Sequence, residues 1–283
     1  MAGLKRRESW IPHFVLIMGV LVFAFPIYFA LIGSTHEASA IATGRMPLLP
    51  GGHMLENYRQ ALTQGSGERV SSAPVRAMMF NSLIMALVIA LGKIAISIIS
   101  AYAVVFFVFP GRMFFFWMIF ITLMLPVEVR IIPTYKVVSD LGMINTFSGL
   151  TIPLIASATA TLLFRQVFLT IPDELVEAAK IDGAVPMRFF WQMVLPLSRT
   201  NIAALFVILF IYGWNQYLWP LLITTNRNME TIVIGIVKMI GTSDAQTDWN
   251  IIMATAILAM LPPVAVVVFM QHWFVKGLIE TEK

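Results

Sequence analysis

Six apolar stretches, each long enough to cross a lipid bilayer, constrain the fold of this chain more than any other feature of its sequence. They cover approximately residues 11–32, 80–107, 114–132, 150–168, 202–223 and 251–274. A helix needs roughly 20 apolar residues to cross the hydrocarbon core of a bilayer. Because backbone N–H and C=O groups in lipid must be satisfied within the segment, helices are the expected conformation. The sequence therefore predicts an all-α membrane protein, with six transmembrane helices in one integral membrane domain over residues 1–283.

The composition agrees with burial in lipid and argues against several kinds of site. Only 12% of the 283 residues are charged, whereas soluble domains carry about 25%. The formal net charge of +4 is spread among apolar runs, so we expect no nucleic-acid surface. There is no cysteine, which excludes disulfides and thiolate chemistry. We expect no metal or other cofactor on this chain, because its four histidines lack ligand spacing: His13, His36, His53 and His272.

Basic residues predict the orientation in the membrane. Lys5-Arg6-Arg7 precede the first span and place the N-terminus in the cytoplasm by the positive-inside rule. Alternation then puts Arg112, the loop over residues 169–200, and the tail with Lys276 and Lys283 on the same side. The rule is obeyed only in part, because four arginines lie in the first external loop: Arg45, Arg59, Arg69 and Arg76. Since the first apolar run is longer than the 7–15 residues of a signal-peptide core, we predict an uncleaved anchor.

The first external loop is long and covers residues 33–79. It is rich in Gly, Pro and Ser and has room for a short helix around residues 55–62. Two interpretations stay open: a flexible spacer, or a contact surface for an external partner. By the predicted orientation this is a periplasmic loop.

The polar loop over residues 169–200 carries the most specific pattern in the chain. Thr170 is placed to cap a helix, with Asp173 three positions on and Pro172 in the first turn. Glu174 and Glu177 favour the positive end of the helix dipole. Gly183 stands where a helix ends in the left-handed conformation, which glycine adopts without penalty. The pattern predicts a short helix that ends at this glycine.

A second start follows within the same loop. Pro186 favours the first turn of another helix, and Phe189-Phe190-Trp191 can pack the loop against the membrane helices. Leu195-Pro196 then redirects the chain before the fifth span. A surface amphipathic helix without special role is the alternative interpretation, but the residue spacing is more specific than that.

The loop resembles the EAA loop of ABC import permeases. The pattern is Glu177-Ala178-Ala179, three residues, Gly183, nine residues, Met193, one residue and Leu195-Pro196. The family usually has Ile where this chain has Met193, a volume-conserving change. The resemblance covers nearly the whole chain.

Other segments resemble one subgroup of these permeases. Three are similar to the carbohydrate-uptake subgroup related to the maltose permeases: Asn81-Ser82-Leu83, Ala101-Tyr102-Ala103 and residues 213–220. Residues 116–130 resemble more closely the permeases that import sn-glycerol 3-phosphate. The resemblance implies import of sn-glycerol 3-phosphate or glycerophosphodiesters. The alternative cargo is a neutral sugar or oligosaccharide.

The resemblance also implies a type I ABC importer permease fold and a set of partners. These would be a second permease subunit, two cytoplasmic ATPase subunits and a periplasmic substrate-binding protein, assembled at the bacterial inner membrane. The loop would be a coupling helix seated in a groove of the ATPase. Its implied coupling residues are Glu177 for an acidic contact, Ala178 and Ala179 for close approach, Asp182, Gly183 for the turn, and Leu195 and Pro196.

The sequence itself places ATP hydrolysis on another chain. A P-loop needs Gly, four residues, Gly-Lys and then Ser or Thr. The single Gly-Lys pair is Gly92-Lys93, with Leu87 and Ile94 at the other required positions. We therefore expect a non-catalytic permease, with ATP and Mg used by the partner ATPase.

Polar residues within the spans predict a translocation path. Ser82, Ala86, Lys93, Ser97 and Ser100 follow helical spacing on one face of the second span. Charges at membrane depth are costly and usually face a cavity or a partner. Lys93 either snorkels or pairs with a carbonyl, or it lines a path for an anionic cargo.

Further candidates for the path lie in the third and fifth spans. Arg130 and Glu128 are near the outer end of the third span, where they are path residues or interfacial anchors. Asn215 and Tyr217 crowd the outer half of the fifth. The predicted path residues are Lys93, Ser97, Arg130, Asn215 and Tyr217.

Two rival functions are weaker. A secondary transporter driven by an ion gradient is expected to have intramembrane carboxylates and broken-helix repeats, and Glu128 is the one acidic residue within a predicted span. A membrane enzyme needs a nucleophile–base pair or metal-ligand spacing, and the sequence shows neither.

Overall fold

The computed structural model describes residues 10–42, 48–65, 73–122, 125–240 and 247–279, without the side chains of residues 42, 127, 128 and 274–279. Several basic and acidic residues used above therefore lie outside the described part: Lys5, Arg6, Arg7, Arg45, Arg69 and Lys283, with the side chains of Glu128 and Lys276. The described residues form helices and turns, with no strand among them.

The α-helices follow one another along the chain with short 3₁₀ and π turns between some of them. They are α1 Trp10–Gly33, α2 Ala38–Ala42, α3 Met54–Gln64, α4 Val75–Phe106, α5 Arg112–Ile121, α6 Val127–Asp140, α7 Phe147–Thr151, α8 Ala158–Leu169, α9 Asp173–Ile181, α10 Pro186–Phe189, α11 Leu195–Leu197, α12 Arg199–Trp214, α13 Leu218–Ile223, α14 Ile232–Ile240 and α15 Trp249–Ile279.

Three helices are long and apolar enough to cross a membrane unaided. They are α1, α4 and the part of α15 up to Trp273, and they match the first, second and sixth predicted spans. Only 6% of the apolar window of α1 is buried, against 50% for α4. A helix that is apolar all round and still exposed is suited to lipid. Pro262 and Pro263 lie inside α15 without ending it.

The third predicted span is not one helix. The short apolar helix α5 ends at Ile121, and α6 begins at Val127 after Pro126, whose backbone is extended (φ −54°, ψ 144°). Proline disfavours the helical conformation in the residue before it. The third predicted span, over residues 114–132, is therefore divided between α5 and α6.

The fourth and fifth predicted spans are interrupted as well. In the fourth, α7 runs into a 3₁₀ turn at Ile152–Leu154 that contains Pro153, and the helix axis then bends by 49° into α8. In the fifth, α12 ends at Trp214 and α13 begins only at Leu218. Two bent pairs, Phe147–Leu154 with α8 and Pro186–Leu197 with α12, can each count as one span. The described residues then contain up to five candidate spans, and α5 is a shorter apolar helix.

The described residues belong to two compact units, residues 1–76 with 236–260 and residues 77–235 with 261–283. The first contains much of the predicted periplasmic loop. There the Asn57 Nδ2 donates to the carbonyl oxygens of Ser34 at 2.9 Å and His36 at 2.8 Å. Asn250 Nδ2 donates in turn to Asn57 Oδ1 at 2.8 Å. Buried amides bonded in this way hold a loop in one conformation, so the described part of this loop is folded.

The core of the second unit joins helices far apart in sequence. Met85 and Ile89 of α4 are buried with Leu150 of α7 and Trp219 of α13. The Trp219 Nε1 donates to the carbonyl oxygen of Gly149 at 3.1 Å. A buried indole needs such a partner, so this bond sets the position of α13 against α7.

Candidate functional site

The predicted cytoplasmic loop folds around a nine-residue helix, α9. Asp173 and Glu174 lie in its first turn and Lys180 in its last turn, where their charges complement the helix dipole. The predicted cap is wrong, because Pro172 is the N-cap and no side chain caps the helix. Thr170 instead ends α8, and its hydroxyl donates to the carbonyl oxygen of Val167 at 2.7 Å.

Gly183 ends α9 in the left-handed conformation, with φ +70°. The Ala184 N–H donates to the Ala179 carbonyl at 2.9 Å, and the Gly183 N–H donates to the Lys180 carbonyl at 3.1 Å. These two bonds form a Schellman motif, which satisfies carbonyls that a helix end leaves open. The predicted conformation of Gly183 is confirmed.

The helix α9 is uncovered. None of its residues is buried, and Glu177 and Ala178 are exposed while Ala179 is half-buried. The apolar side chains at its end and beyond are also exposed, at 86% for Ile181 and 62% for Val185. A short helix gains most of its stability from packing, so an apolar helix end of this kind fits a surface that another protein covers.

An aromatic anchor holds this loop to the end of α4. We define it as Tyr102, Phe106, Phe168, Phe189 and Phe190. Ring centroids lie 4.8 Å apart for Tyr102 and Phe190, and 5.4 Å apart for Phe106 and Phe189. The Tyr102 hydroxyl also donates to the carbonyl oxygen of Pro186 at 2.7 Å.

The predicted packing of Phe189 and Phe190 is confirmed, since each is 6% exposed. The third aromatic of the predicted cluster, Trp191, is 63% exposed and packs little against the bundle. Predicted packing of Trp191 is therefore wrong. The sequence pattern could not show which of the three aromatic residues would be buried. The π turn at Phe190–Val194 changes the direction in which successive side chains point.

Leu195 and Pro196 lie where the loop turns toward the fifth span. Pro196 cannot donate a backbone hydrogen bond. The Leu195 N–H donates to the Phe190 carbonyl oxygen, which closes the preceding π turn. Two residues later, at the buried Ser198, the axis bends by 71° into α12. The chain changes direction before the fifth span as predicted, but it does so at Ser198 and not at Leu195-Pro196, which lie within α11.

The predicted polar face of α4 is turned inward. Ser82, Ala86, Lys93 and Ser97 are buried, and Ser100 is half-buried. Ser82 is a structural residue, because its Oγ accepts from the Ile232 N–H at 2.8 Å. Its neighbour Asn81 donates to the carbonyl oxygens of Asn228 at 2.8 Å and Glu230 at 3.0 Å.

Lys93 is 7% exposed, and its Nζ lies 3.9 Å from the ring centroid of Tyr212. Ser97 lies one turn further along α4, and its Oγ donates to the Ser157 carbonyl at 3.2 Å. The exposed Arg130 of α6 is near enough for its charge to act on the Lys93 ammonium. Of the predicted path residues, Lys93 and Ser97 thus share one buried face of α4.

Asn215 and Tyr217 lie in the interruption between α12 and α13, and both are exposed. Irregular backbone at membrane depth is tolerated where protein covers it or where it lines a water-filled cavity. This arrangement is compatible with a path, although no bond in the described residues ties Asn215 or Tyr217 to Lys93.

Sequence reasoning missed two side chains in the membrane region. Tyr212 directly precedes Gly213-Trp214, and this position next to a segment already singled out in the sequence was a local signal for Tyr212. Arg165 of α8 stacks its guanidinium 4.5 Å from the ring centroid of Phe116; no sequence pattern pairs these two residues. Among the described residues, no group of three or more His, Asp or Glu side chains is placed to hold a metal ion.

Comparison with known proteins gives one consistent result. The family described as "Binding-protein-dependent transport system inner membrane component" matches residues 82–280. The chain is 62% identical over 276 residues, 98% of each chain, to the sn-glycerol-3-phosphate transport system permease protein UgpE of Brucella melitensis. It is 56% identical to the protein of that name from Yersinia enterocolitica, over 96% of each chain.

Solved structures with a similar fold are transporters. One is a bacterial ABC transporter involved in the import of the acidic polysaccharide alginate, with a TM-score of 0.80 and 20% identity over 96% of this chain and all of that one. Another is a bacterial alginate ABC transporter in complex with an alginate pentasaccharide-bound periplasmic protein, with a TM-score of 0.63 and 16% identity over 94% of each chain. At these identities the likeness concerns the fold.

The resemblance to ABC import permeases is thereby confirmed, and so is the all-α membrane fold. The interrupted spans alone were also expected of a secondary transporter, but the comparisons give that rival no support. Since the family match covers well over half of the chain, this protein belongs to the inner membrane components of binding-protein-dependent transport systems.

Proposed function

We propose that this chain is the permease subunit of an ATP-driven ABC importer that moves sn-glycerol 3-phosphate, or related glycerophosphodiesters, from the periplasm to the cytoplasm. The cargo is proposed from the 62% identity, over 98% of both chains, to a permease named for sn-glycerol-3-phosphate transport. A buried lysine in α4 is compatible with an anionic cargo. No observation favours a neutral sugar over it.

The machine contains a second permease subunit, two cytoplasmic ATPase subunits and a periplasmic binding protein. Helix α9 docks in a groove of one ATPase subunit, and Glu177, Ala178, Ala179, Asp182 and Gly183 form the contact. Its lack of any buried residue and the exposed Ile181 support this proposal, because helix-in-groove binding uses such a face. Leu195 and Pro196 transmit the motion into α12.

The aromatic anchor makes this docking mechanically useful. A rigid connection is needed if movement of α9 is to reach the membrane helices, and close-packed aromatic rings deform little. Tyr102 and Phe106 belong to α4, so displacement of the loop displaces the helix that carries Lys93. Coupling then consists of a difference in free energy between inward-open and outward-open states, set by the ATPase through this loop.

The chain is non-catalytic, and ATP with Mg is used by the partner ATPase. The N- and C-termini are cytoplasmic. Lys93, Ser97, Arg130, Asn215 and Tyr217 line the translocation path, with the second permease subunit completing it. The polar region around Lys93 supports this, because a buried cation in a membrane protein is costly and is usually functional.

The proposal is tested by purification of the native complex through a tag on this chain. We expect the second permease and an ATPase subunit to copurify, and the ATPase rate to rise when the binding protein is loaded with sn-glycerol 3-phosphate. Maltose is the matched neutral probe and should leave the rate unchanged. Stimulation by maltose and not by the phosphate ester would contradict the proposed cargo. Purification without an ATPase subunit would contradict the proposed composition of the transporter.

A further inference from the structure

Lys93 is a buried cation near the middle of a membrane-spanning helix. It belongs to α4, Val75–Phe106, and is 7% exposed. Among the side chains that the structure describes, no carboxylate forms an ion pair with it. Its contact is the face of Tyr212, 3.9 Å from Nζ to the ring centroid. A cation–π contact is weaker than a charge-assisted hydrogen bond to an anion, so a better partner can displace it.

A break in the fourth predicted span lies beside Lys93. The chain leaves the helix between Leu154 and Ala158, and this irregular segment packs against α4 on either side of Lys93. A Cβ on Gly92 would come within 2.8 Å of the Ile155 side chain, and Ser97 Oγ donates to the Ser157 carbonyl at 3.2 Å. The N-terminus of the twelve-residue helix α8 therefore starts beside Ser97, one helical turn from Lys93 along α4, and the positive end of its dipole lies there.

The interruption in the fifth predicted span lies close to the same lysine. Tyr212 is two residues before Trp214, where α12 ends. The backbone of α12 packs closely against α4 next to Tyr212, because a Cβ on Gly213 would come within 2.9 Å of the Ala86 Cα. Interrupted membrane helices leave backbone groups that need protein or water around them. Two interruptions at one buried cation are typical of a binding site between helices.

The charges of the described side chains in this region have one sign. Arg130 is near enough for its charge to act on Lys93, and the positive end of α8 adds to both. Positive groups gathered without a described acid repel one another, and an anion between them removes that repulsion. The anion must be compact to fit between helices, and a phosphate offers several acceptor oxygens to one ammonium.

We propose that Lys93 is the phosphate-binding residue of the translocation path, resting on Tyr212 in the empty protein and transferring to the phosphate of the cargo. The inference rests on the proposed function. It adds a specificity role: Lys93 favours a phosphate monoester, which carries up to two negative charges, over a phosphodiester, which carries one. Tyr212 is a positioning residue that holds the ammonium between transport events.

The test uses the complete transporter in lipid vesicles with ATP inside. Uptake of sn-glycerol 3-phosphate and of glycerophosphocholine is measured for wild type, Lys93→Met and Lys93→Arg. Methionine removes a buried charge and is close to lysine in length, so insertion should not suffer. Lys136→Gln is the matched control, because Lys136 is 76% exposed and pairs with Asp140 at 3.0 Å.

We expect Lys93→Met to lower monoester uptake about tenfold or more, because a hydrogen bond to a charged group is lost. The effect on uptake of the diester should be smaller. Lys93→Arg should restore the preference for the monoester, and Tyr212→Phe should keep it, since the ring face remains. Equal loss of both cargos in Lys93→Met, or unchanged uptake of both, would overturn the inference alone. Failure of the wild-type transporter to take up either phosphate compound would overturn the proposed function with it.

Discussion

Gly183 is the residue whose role in the loop is most sharply defined by its backbone. Its φ is +70°, and a Cβ built there would meet no atom within 4 Å. A substitution therefore acts through backbone strain and not through packing. This conformation was predictable from the sequence, because a glycine directly after a helical pattern is a local signal for a helix C-terminus.

Replacement of Gly183 by valine should uncouple transport. A β-branched residue in the left-handed region costs about 1–2 kcal/mol, enough to favour another path for the chain after α9. Gly183→Asn is the matched control, because asparagine visits this region more readily. Cargo uptake and ATPase rate are measured on equal amounts of inserted complex. Normal uptake by Gly183→Val would contradict the role of this turn.

Asn145 is the one residue other than glycine with a positive φ among the described residues, at 58°. Its Oδ1 accepts from the N–H groups of Thr225 at 2.8 Å and Asn226 at 2.9 Å, and its Nδ2 donates to Thr225 Oγ1 at 2.8 Å. The side chain thus joins two loops 80 residues apart. Such a pairing could not be predicted from the sequence, because each loop by itself looks like an ordinary polar connection.

Asn145→Ala should destabilise the protein by about 2 kcal/mol, from lost hydrogen bonds and the strained φ. Asn145→Asp keeps the acceptor oxygen and tolerates the same backbone, so it should lose about half as much. The midpoint of thermal unfolding of the purified complex reports the difference. Equal midpoints for the two variants would show that the loop connection is not held by this side chain.

The aromatic anchor acts at the scale of whole elements, because it ties the loop containing α9 to the end of α4. Part of it was predictable: Phe189, Phe190 and Trp191 stood out as an aromatic cluster in a polar loop, and two of the three are buried. The contact of Tyr102 with this loop was not predictable, since Tyr102 lies 84 residues from Pro186. Hydropathy likewise identified the apolar segments but not their interruptions at Pro126 and Ser157, since a broken helix and a straight one have the same mean hydropathy.

Tyr102 separates the packing of the anchor from its hydrogen bond. Tyr102→Phe removes only the bond to Pro186, about 1 kcal/mol, and should keep transport coupled. Tyr102→Ala removes a buried ring at a cost of about 3–5 kcal/mol, so the loop should lose its fixed position on α4. We expect ATP hydrolysis by the assembled complex to continue while cargo uptake falls. If Tyr102→Ala transports normally, force does not pass through this contact.

At the scale of the whole molecule, orientation is the property on which coupling depends. The basic cluster that predicts it, Lys5-Arg6-Arg7, lies outside the described residues. Absence of cysteine from the sequence allows a direct test with single cysteines. Ile181 on α9 is 86% exposed, and Leu141 after α6, on the opposite predicted side, is 67% exposed.

A membrane-impermeant thiol reagent should label Leu141→Cys in intact spheroplasts and Ile181→Cys only in inside-out vesicles. The cysteine-free wild type is the control for background labelling. Labelling of Ile181→Cys in intact spheroplasts would place α9 outside the cell and remove the basis for docking to an ATPase.

Energy supply is the central claim for the whole molecule, because family membership assigns a transport role while ATP coupling through α9 is proposed. The most direct measurement is uptake of sn-glycerol 3-phosphate into vesicles that contain the complete transporter, with loaded binding protein outside and ionophores collapsing every ion gradient. We predict that uptake continues with internal ATP and stops with a non-hydrolysable analogue. Uptake that needs an ion gradient and proceeds without ATP would contradict the account.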